Sequence, residues 1–280
     1  MRLYSQDMEL VQKCEYEIAD CYFQMGDEKE SMSRFTILRT KYPDSSLAPE
    51  VVWWLGEYYY RSNNFVLARR YFSSLIQDYP KSTLVANAYY ALGTVAEEEK
   101  KNDEAAQNYR QAILLGKTEL AAQAAIALAD MRLRDNQPQE ALGIYTEVLA
   151  NYPHLKASMY PKMAEVYRSA GDFAKAIDLL EQSLDLVPAD ELNRVQFSLA
   201  QVWEANNDVP RAIEEYLKVT YLYPKDQQFV VRALLRAAAL YENREEYAAA
   251  ESLYGKVVGM QVEESKFAQE RLVDLRKEKH

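Results

Sequence analysis

The sequence predicts an all-α fold built as a linear array of stacked helix pairs. Three observations carry this. Gly (8) and Pro (9) are scarce in 280 residues, while Ala, Leu, Glu and Tyr dominate, which favours helix over strand. Small residues recur in an apolar, helix-periodic context at intervals of 35 to 38 residues. Inside each interval the spacing of the other marked positions does not change. A rigid interior with a variable connector marks a repeated structural unit, and a repeat array grows by stacking rather than by enlarging one core.

The first column of small residues is Ala19, Gly56, Gly93, Ala129, Ala164, Ala200 and Ala238. An apolar residue stands just before it, as at Ile18, Leu55, Leu92, Leu128 and Leu199. Three residues after it comes an aromatic, at Tyr22, Tyr59, Tyr167, Trp203 and Tyr241, with Ala96 and Arg132 interrupting that column. Twelve residues beyond is a second small column: Ser31, Ala68, Ala105, Ala141, Ala176, Ala212 and Ala250. Four further on stands a large residue: Phe35, Phe72, Tyr109, Tyr145, Leu180, Tyr216 and Tyr254. A proline closes five units, at Pro43, Pro80, Pro153, Pro188 and Pro224, with Lys117 and Val262 in the other two.

Each unit reads as two helices, both with apolar residues at three- and four-residue spacing. The turn between them carries Gly26, Asn63, Asn136, Gly171 or Asn207, residue types that accept the left-handed conformation ending a helix. Pro138 and Pro210 fall at the start of second helices, and Pro49 opens a first helix, where a missing N–H costs little. Pro161 is expected to lie at or near the start of its helix. The two small columns are expected where helices of a pair cross, the large residue of the second helix filling the gap. Leu in place of Ala200 would overpack that crossing, costing on the order of 1–3 kcal/mol.

The pattern resembles the tetratricopeptide repeat family. The best-matching stretch runs from Trp54-Leu55-Gly56 through Tyr59, Ala68 and Phe72 to Pro80. The resemblance implies a right-handed α-solenoid of about seven helix pairs plus a C-terminal capping helix. It places the repeats near 12–45, 49–82, 86–119, 122–155, 157–190, 193–226 and 231–264, as one solenoid over 1–280. The cap covers about 264–279, with Ala268, Leu272 and Leu275 as its buried stripe. The linkers Tyr42-Pro43-Asp44-Ser45 and Tyr79-Pro80-Lys81-Ser82 resemble those of bacterial cell-envelope members, such as the Tol–Pal-associated coordinator and the lipoprotein of the outer-membrane assembly machine. That likeness leans toward the periplasm or cell envelope over the cytoplasm.

The resemblance implies that first helices line a concave groove which binds a partner protein or peptide. In the first three units the groove residues are Tyr16, Asp20 and Phe23; Trp53, Glu57 and Tyr60; and Tyr90, Thr94 and Glu97. Adjacent rings sort themselves, since Trp53 and Trp54 lie about 100° apart on a helix, as do Tyr59 and Tyr60. Trp54 and Tyr59 fit the core, leaving Trp53 and Tyr60 for the groove. The matching places of later units hold Ile126, Pro161, Phe197 and Leu235, so the aromatic and acidic surface is concentrated in the N-terminal half. The rings would anchor a partner with apolar or aromatic groups and some basic character. The same rings would also serve as packing between neighbouring first helices. Some members bind chaperone C-terminal carboxylates through Lys, Asn and Arg. Here Asp20, Glu57, Asp130 and Glu165 stand at the Asn places and Lys13 and Arg194 are isolated, which argues against that ligand.

Other functions are disfavoured. The net charge of −10 and pI of about 5.0 leave no basic face for nucleic acid or an anionic membrane. No apolar run is long enough to span a bilayer, and no signal peptide opens the chain. Cys14 and Cys21 would sit roughly 10.5 Å apart along one helix, too far for a disulfide. The two histidines, His154 and His280, carry no nucleophile motif, and no Gly-rich phosphate loop or metal-spaced histidine pair exists. No cofactor, metal or catalytic residue is expected, and the chain is read as no enzyme. His280 fits a tag remnant or a native residue. Two further readings stay open: a subunit that self-assembles end to end, because Met8 and Val11 prolong an apolar stripe with no helix before it to cover it, and a regulatory segment of a larger protein or enzyme.

Overall fold

The structure, a computed structural model, describes residues 2–116 and 119–278, with side chains for 8–116 and 119–275. Lys117-Thr118 and His280 lie outside the described residues. The described residues form fifteen α-helices and one short 3₁₀ turn, with no strand among them. They divide into two compact units, Met1–Ile144 and Tyr145–His280.

The first unit contains α1 (Arg2–Gln24), α2 (Glu28–Lys41), α3 (Ala48–Arg61), α4 (Phe65–Asp78), α5 (Val85–Glu98), α6 (Asn102–Leu115), α7 (Glu119–Arg134) and the opening of α8 (Pro138–Asn151). The second contains the rest of α8, the 3₁₀ turn Pro153–Leu155, α9 (Lys156–Ser169), α10 (Phe173–Leu184), α11 (Leu192–Ala205), α12 (Val209–Leu222), α13 (Gln227–Asn243), α14 (Tyr247–Gly259) and α15 (Ser265–Glu278). Within each unit, helices pack on their sequence neighbours, and first helices also touch the next first helix: α5 with α7, and α11 with both α9 and α13. First helices therefore share one layer and second helices the other.

The turn inside each pair is fixed by backbone chemistry. The residue seven after the first small position has positive φ in every pair: Gly26, Asn63, Lys100, Asn136, Gly171, Asn207 and Glu245. The five Gly and Asn positions read from the sequence are all here; Lys100 and Glu245 are forced into the same conformation by the repeat. The next amide closes back onto the carbonyl five residues earlier, as in Asn64 N–H to Tyr59 O at 2.8 Å and Lys101 N–H to Ala96 O at 2.8 Å. That satisfies a carbonyl the helix end would orphan. Asp27, Asn64, Asp172 and Asp208 then cap the second helix, their side chains accepting from backbone amides three residues on, a contact worth about 1 kcal/mol.

The small columns are contact points. A Cβ on Gly56 would lie 2.5 Å from the Phe72 ring, and one on Gly93 2.5 Å from the Tyr109 ring. Ala19, Ala164, Ala200 and Ala238 and the whole second column are fully buried. Ser31, the one hydroxyl in that column, donates to the Ala19 carbonyl at 2.8 Å, so its burial leaves no polar group unmet. Ala268, Leu272 and Leu275 of α15 are buried against the last pair, the stripe expected of a cap.

One expectation fails. Pro161 does not start its helix: α9 begins at Lys156 and carries Pro161 inside. Near the N-terminus the missing N–H removes a single bond, to Ala157. The burial of Met159, Met163, Ala164 and Val166 keeps the helix at the 14 residues of α3, α5 and α11.

Candidate peptide-binding face

The first helices of the first unit present the aromatic and acidic positions. On α3, Trp53, Glu57 and Tyr60 are spaced by four and three residues and share one face. Trp53 is half-buried, its ring 5.2 Å from Phe72; Tyr60 is half-buried, 5.9 Å from Phe65. Trp54 is buried among Phe35 at 4.3 Å, Tyr58 at 5.5 Å and Phe23 at 5.6 Å. Trp54 is therefore the core tryptophan the sequence assigned, while Trp53 is half-buried against the cluster around Phe72. Tyr59, assigned to the core, stacks on Tyr71 at 5.4 Å and is half-buried.

Glu57 has a distinctive environment. Burial raises its carboxyl above the usual range, and the charge of Arg61 offsets this in part. Arg61 lies over the Phe23 ring, 4.5 Å from its centroid, rather than against Glu57. A carboxylate partly stripped of water without a cation in direct contact binds a positive group more strongly than an exposed one.

On α1, Tyr16 meets Phe35 edge-on at 5.3 Å. Burial raises its hydroxyl pKa, followed by the charges of Asp20, Glu50 and Glu17. Asp20 and Phe23 are half-buried one turn and two turns on. On α5, Tyr90 stands 5.7 Å from Tyr109, Thr94 donates to the Ala91 carbonyl at 2.8 Å, and Glu97 is occupied. Glu97 accepts from the Tyr109 hydroxyl at 2.6 Å and pairs with Arg134 of α7.

The role of Glu97 recurs. Tyr216 donates to Glu204 at 2.7 Å and Tyr254 to Glu242 at 3.0 Å. Arg236 pairs with Glu204, and Arg271 with Glu242. Each carboxylate thus ties its own second helix to the helix that follows the pair: α7, α13 or the cap α15. The signal was in the sequence in part: Glu97, Glu204 and Glu242 stand four after the small residue in three of the four pairs whose second helix carries Tyr, with Leu133 opposite Tyr145 in the other, whereas Phe23 and Tyr60 stand there opposite Phe35 and Phe72.

Among the described residues no helix is long and apolar enough to cross a membrane, and no cluster of three or more His, Cys, Asp or Glu is placed to hold a metal ion.

Two tetratricopeptide repeat models match the sequence, one over 14–45 and 50–82 and the other over 86–155 and 162–227, well over half of the chain together. The chain belongs to the tetratricopeptide repeat family. No curated protein matches it significantly. Among solved structures, the C-terminal part of a repeat-containing protein from Cytophaga hutchinsonii is similar at TM-score 0.74 and 14% identity, covering 90% of this chain and 98% of that one. A repeat protein from Parabacteroides merdae is similar at TM-score 0.59 and 11% identity, covering 95% and 98%. YrrB, described as a repeat protein with an unusual peptide-binding site, is similar at TM-score 0.51 and 15% identity, covering 68% and 92%. These likenesses are of fold. The tetratricopeptide fold is a protein-interaction scaffold, and this chain has it.

Proposed function

We propose that the chain is a non-catalytic adaptor that holds a partner peptide or protein along the first helices of its first three repeats, within a bacterial cell-envelope complex. The repeats near 12–45, 49–82 and 86–119 supply the face, as part of the array of seven pairs and a cap. The observation that carries this is Glu57: a partly desolvated carboxylate without a cation in contact, flanked on one helix face by the half-buried rings of Trp53 and Tyr60. Such a site suits a peptide with an apolar or aromatic anchor followed by Lys or Arg. Tyr16, Asp20 and Phe23 extend the face on α1, and Tyr90 and Thr94 extend it on α5. Glu97 contributes less, because its oxygens are already taken. Peptide binding by the fold relative YrrB is consistent with this class of function, and the Tyr-Pro linkers support the envelope setting.

Selection of binders from a random peptide library on the purified chain tests the proposal. Enriched peptides should carry an aromatic or aliphatic residue near a basic one. Trp53→Ala should weaken them by about 2 kcal/mol or more, and Glu57→Lys should abolish the preference for the basic residue. Binders indifferent to both substitutions would sink the placement of the site.

A further inference from the structure

The chain carries 43 Asp and Glu against 33 Lys and Arg, so most cations can find a carboxylate. In the second unit Arg168, Arg211, Arg236, Arg244 and Arg271 each pair with one. Arg194 and Arg232 do not. Both are exposed, and among the described residues neither guanidinium has an ion pair or a hydrogen bond. They occupy the same place in their repeats, six residues before Ala200 on α11 and six before Ala238 on α13, and α11 and α13 touch.

Phe197 brings the two together. It follows Arg194 by three residues and so shares its helix face. The Arg232 guanidinium reaches across from α13 to lie over the same ring, 4.7 Å from its centroid, and 5.3 Å from that of Phe229. Two cations from neighbouring first helices thus border one ring. Stacking uses the plane of a guanidinium and leaves its N–H edge open. Stability does not account for Arg194, the third residue of α11, because the positive end of the helix dipole disfavours a cation there. Asp226, at the start of α13, is taken by the Asn193 side chain at 2.5 Å and the Phe229 amide at 3.3 Å. The face beyond is neutral, with Gln201 on α11 and Leu235 and Ala239 on α13, where the same columns of the first unit hold Asp20, Glu50 and Glu57.

We infer that Arg194 and Arg232 form a second recognition site, for an acidic segment of a partner protein held through two side-chain carboxylates. Each guanidinium offers a carboxylate the paired N–H geometry of a fork. Packed helices lie about 8–10 Å apart and an extended chain advances about 3.3 Å per residue. The two acids of the segment therefore stand two or three residues apart, with an apolar residue beside them against the half-buried Leu235. Nucleic acid and anionic membranes do not fit, since two cations on a chain of net charge −10 neutralise too few phosphates. The site uses neither Trp53 nor Glu57, so it stands or falls apart from the peptide-binding face proposed above.

The test is selection from a random peptide library displayed through its C-terminus, which offers side-chain carboxylates and no terminal one. The native chain and the Arg194→Gln/Arg232→Gln variant are screened in parallel at low salt, where exposed charges are least screened. Peptides enriched on the native chain and lost on the variant should carry two Asp or Glu, two or three residues apart. One of them, synthesised with an amidated C-terminus, should bind Arg194→Gln about fivefold more weakly and the double variant not measurably. Arg232→Lys keeps the charge and loses the fork, so it should fall between the two. Glu57→Gln should leave this affinity unchanged. Circular dichroism and urea midpoints of Arg194→Gln should match the native chain, which separates lost binding from lost structure. The inference is overturned if no acidic class is enriched on the native chain, or if the same acidic peptides are enriched on both proteins. A doubled mass of the native chain in sedimentation that the double variant loses would also overturn it, since the occupant would then be a second copy.

Discussion

The first two helix pairs and the third, sixth and seventh solve the same packing problem with different chemistry. At the crossing of each pair a ring from the second helix fills the space over a small residue. In the first two pairs the ring is Phe35 or Phe72, and the residue one turn beyond the small position is Phe23 or Tyr60. In the other three the ring is Tyr109, Tyr216 or Tyr254, fully buried or nearly so, and that residue is Glu97, Glu204 or Glu242, which takes the hydroxyl proton's hydrogen bond and an Arg from the next first helix. A buried hydroxyl must find an acceptor, and in these three pairs the carboxylate supplies it and pairs with an Arg; the fourth pair, with Tyr145 opposite Leu133, does not use that position. Where the ring is Phe, no acceptor is required and the position is released for an aromatic facing solvent. Glu97 is thereby structural, whereas Glu57 stands one rather than four after its small residue and has the charge of Arg61 as its cationic influence.

The largest effect that this comparison predicts is alkaline. Burial, then the hydrogen bond to a carboxylate, raises the pKa of Tyr109, Tyr216 and Tyr254, the last up to about 12. A folded pKa above the unfolded value of 10 means the stabilisation is complete below pH 10 and is lost as pH climbs toward 12 and beyond. Three such groups give a loss of about 4 kcal/mol per pH unit in that window. Urea midpoints at pH 9, 10 and 11 measure it, and the triple Tyr→Phe variant should lose most of the slope. A wild-type slope no steeper than that of the variant would break the account of the three ties.

Exchanging the chemistry between regions should cost somewhat less. Phe72→Tyr places a hydroxyl opposite Tyr60 instead of Glu and should destabilise by about 1–3 kcal/mol. Adding Tyr60→Glu recreates the third pair's arrangement in the second and should recover half or more of that loss. A double variant no more stable than Phe72→Tyr alone would show that the pairing of Tyr with Glu is not a packing rule.

Within a single tie the two arms are unequal. Arg134 is 61% exposed at its side chain, so Arg134→Met should cost no more than about 1 kcal/mol. Glu97→Ala leaves the buried Tyr109 hydroxyl without its acceptor and should cost about 1–3 kcal/mol. Equal costs would mean the ion pair, not the hydroxyl, dominates.

Much of this was legible in the sequence, and particular residues show why. The turn at Gly26 or Asn63 is local chemistry, since only certain residue types accept positive φ cheaply, so spacing and residue type sufficed. Gly56 and Gly93 were legible as close approaches because only small residues fill that column, and at these two even a Cβ would lie 2.5 Å from the ring. Lys100 and Glu245 were not legible as turn residues, because the repeat imposes on them a conformation their type does not advertise. Pro161 was misplaced because its local penalty is outweighed by burial of the methionines around it. Glu97 was expected to face the groove and does share that helix layer. What periodicity does not encode is that a hydroxyl sixteen residues from the small position reaches back to it.

The smallest effect is the one that bears most directly on function. Burial raises the folded pKa of Glu57 above its unfolded value, so whatever stability the group contributes is present below about pH 4.5 and lost as pH rises through the folded pKa. At neutral pH the charged carboxylate is therefore a net cost to the fold. Glu57→Gln should raise stability slightly at pH 7, and the gain should fade on acidification until the two proteins coincide below about pH 4.5. On the proposed function, the same substitution should weaken a basic peptide, because it removes the charge that would pair with the peptide's cation. Structural carboxylates such as Glu97 give the opposite stability sign, because their removal orphans a buried hydroxyl. If Glu57→Gln destabilises at pH 7, Glu57 belongs with Glu97 as a packing residue, and the distinction between the two regions disappears at the position where it matters most.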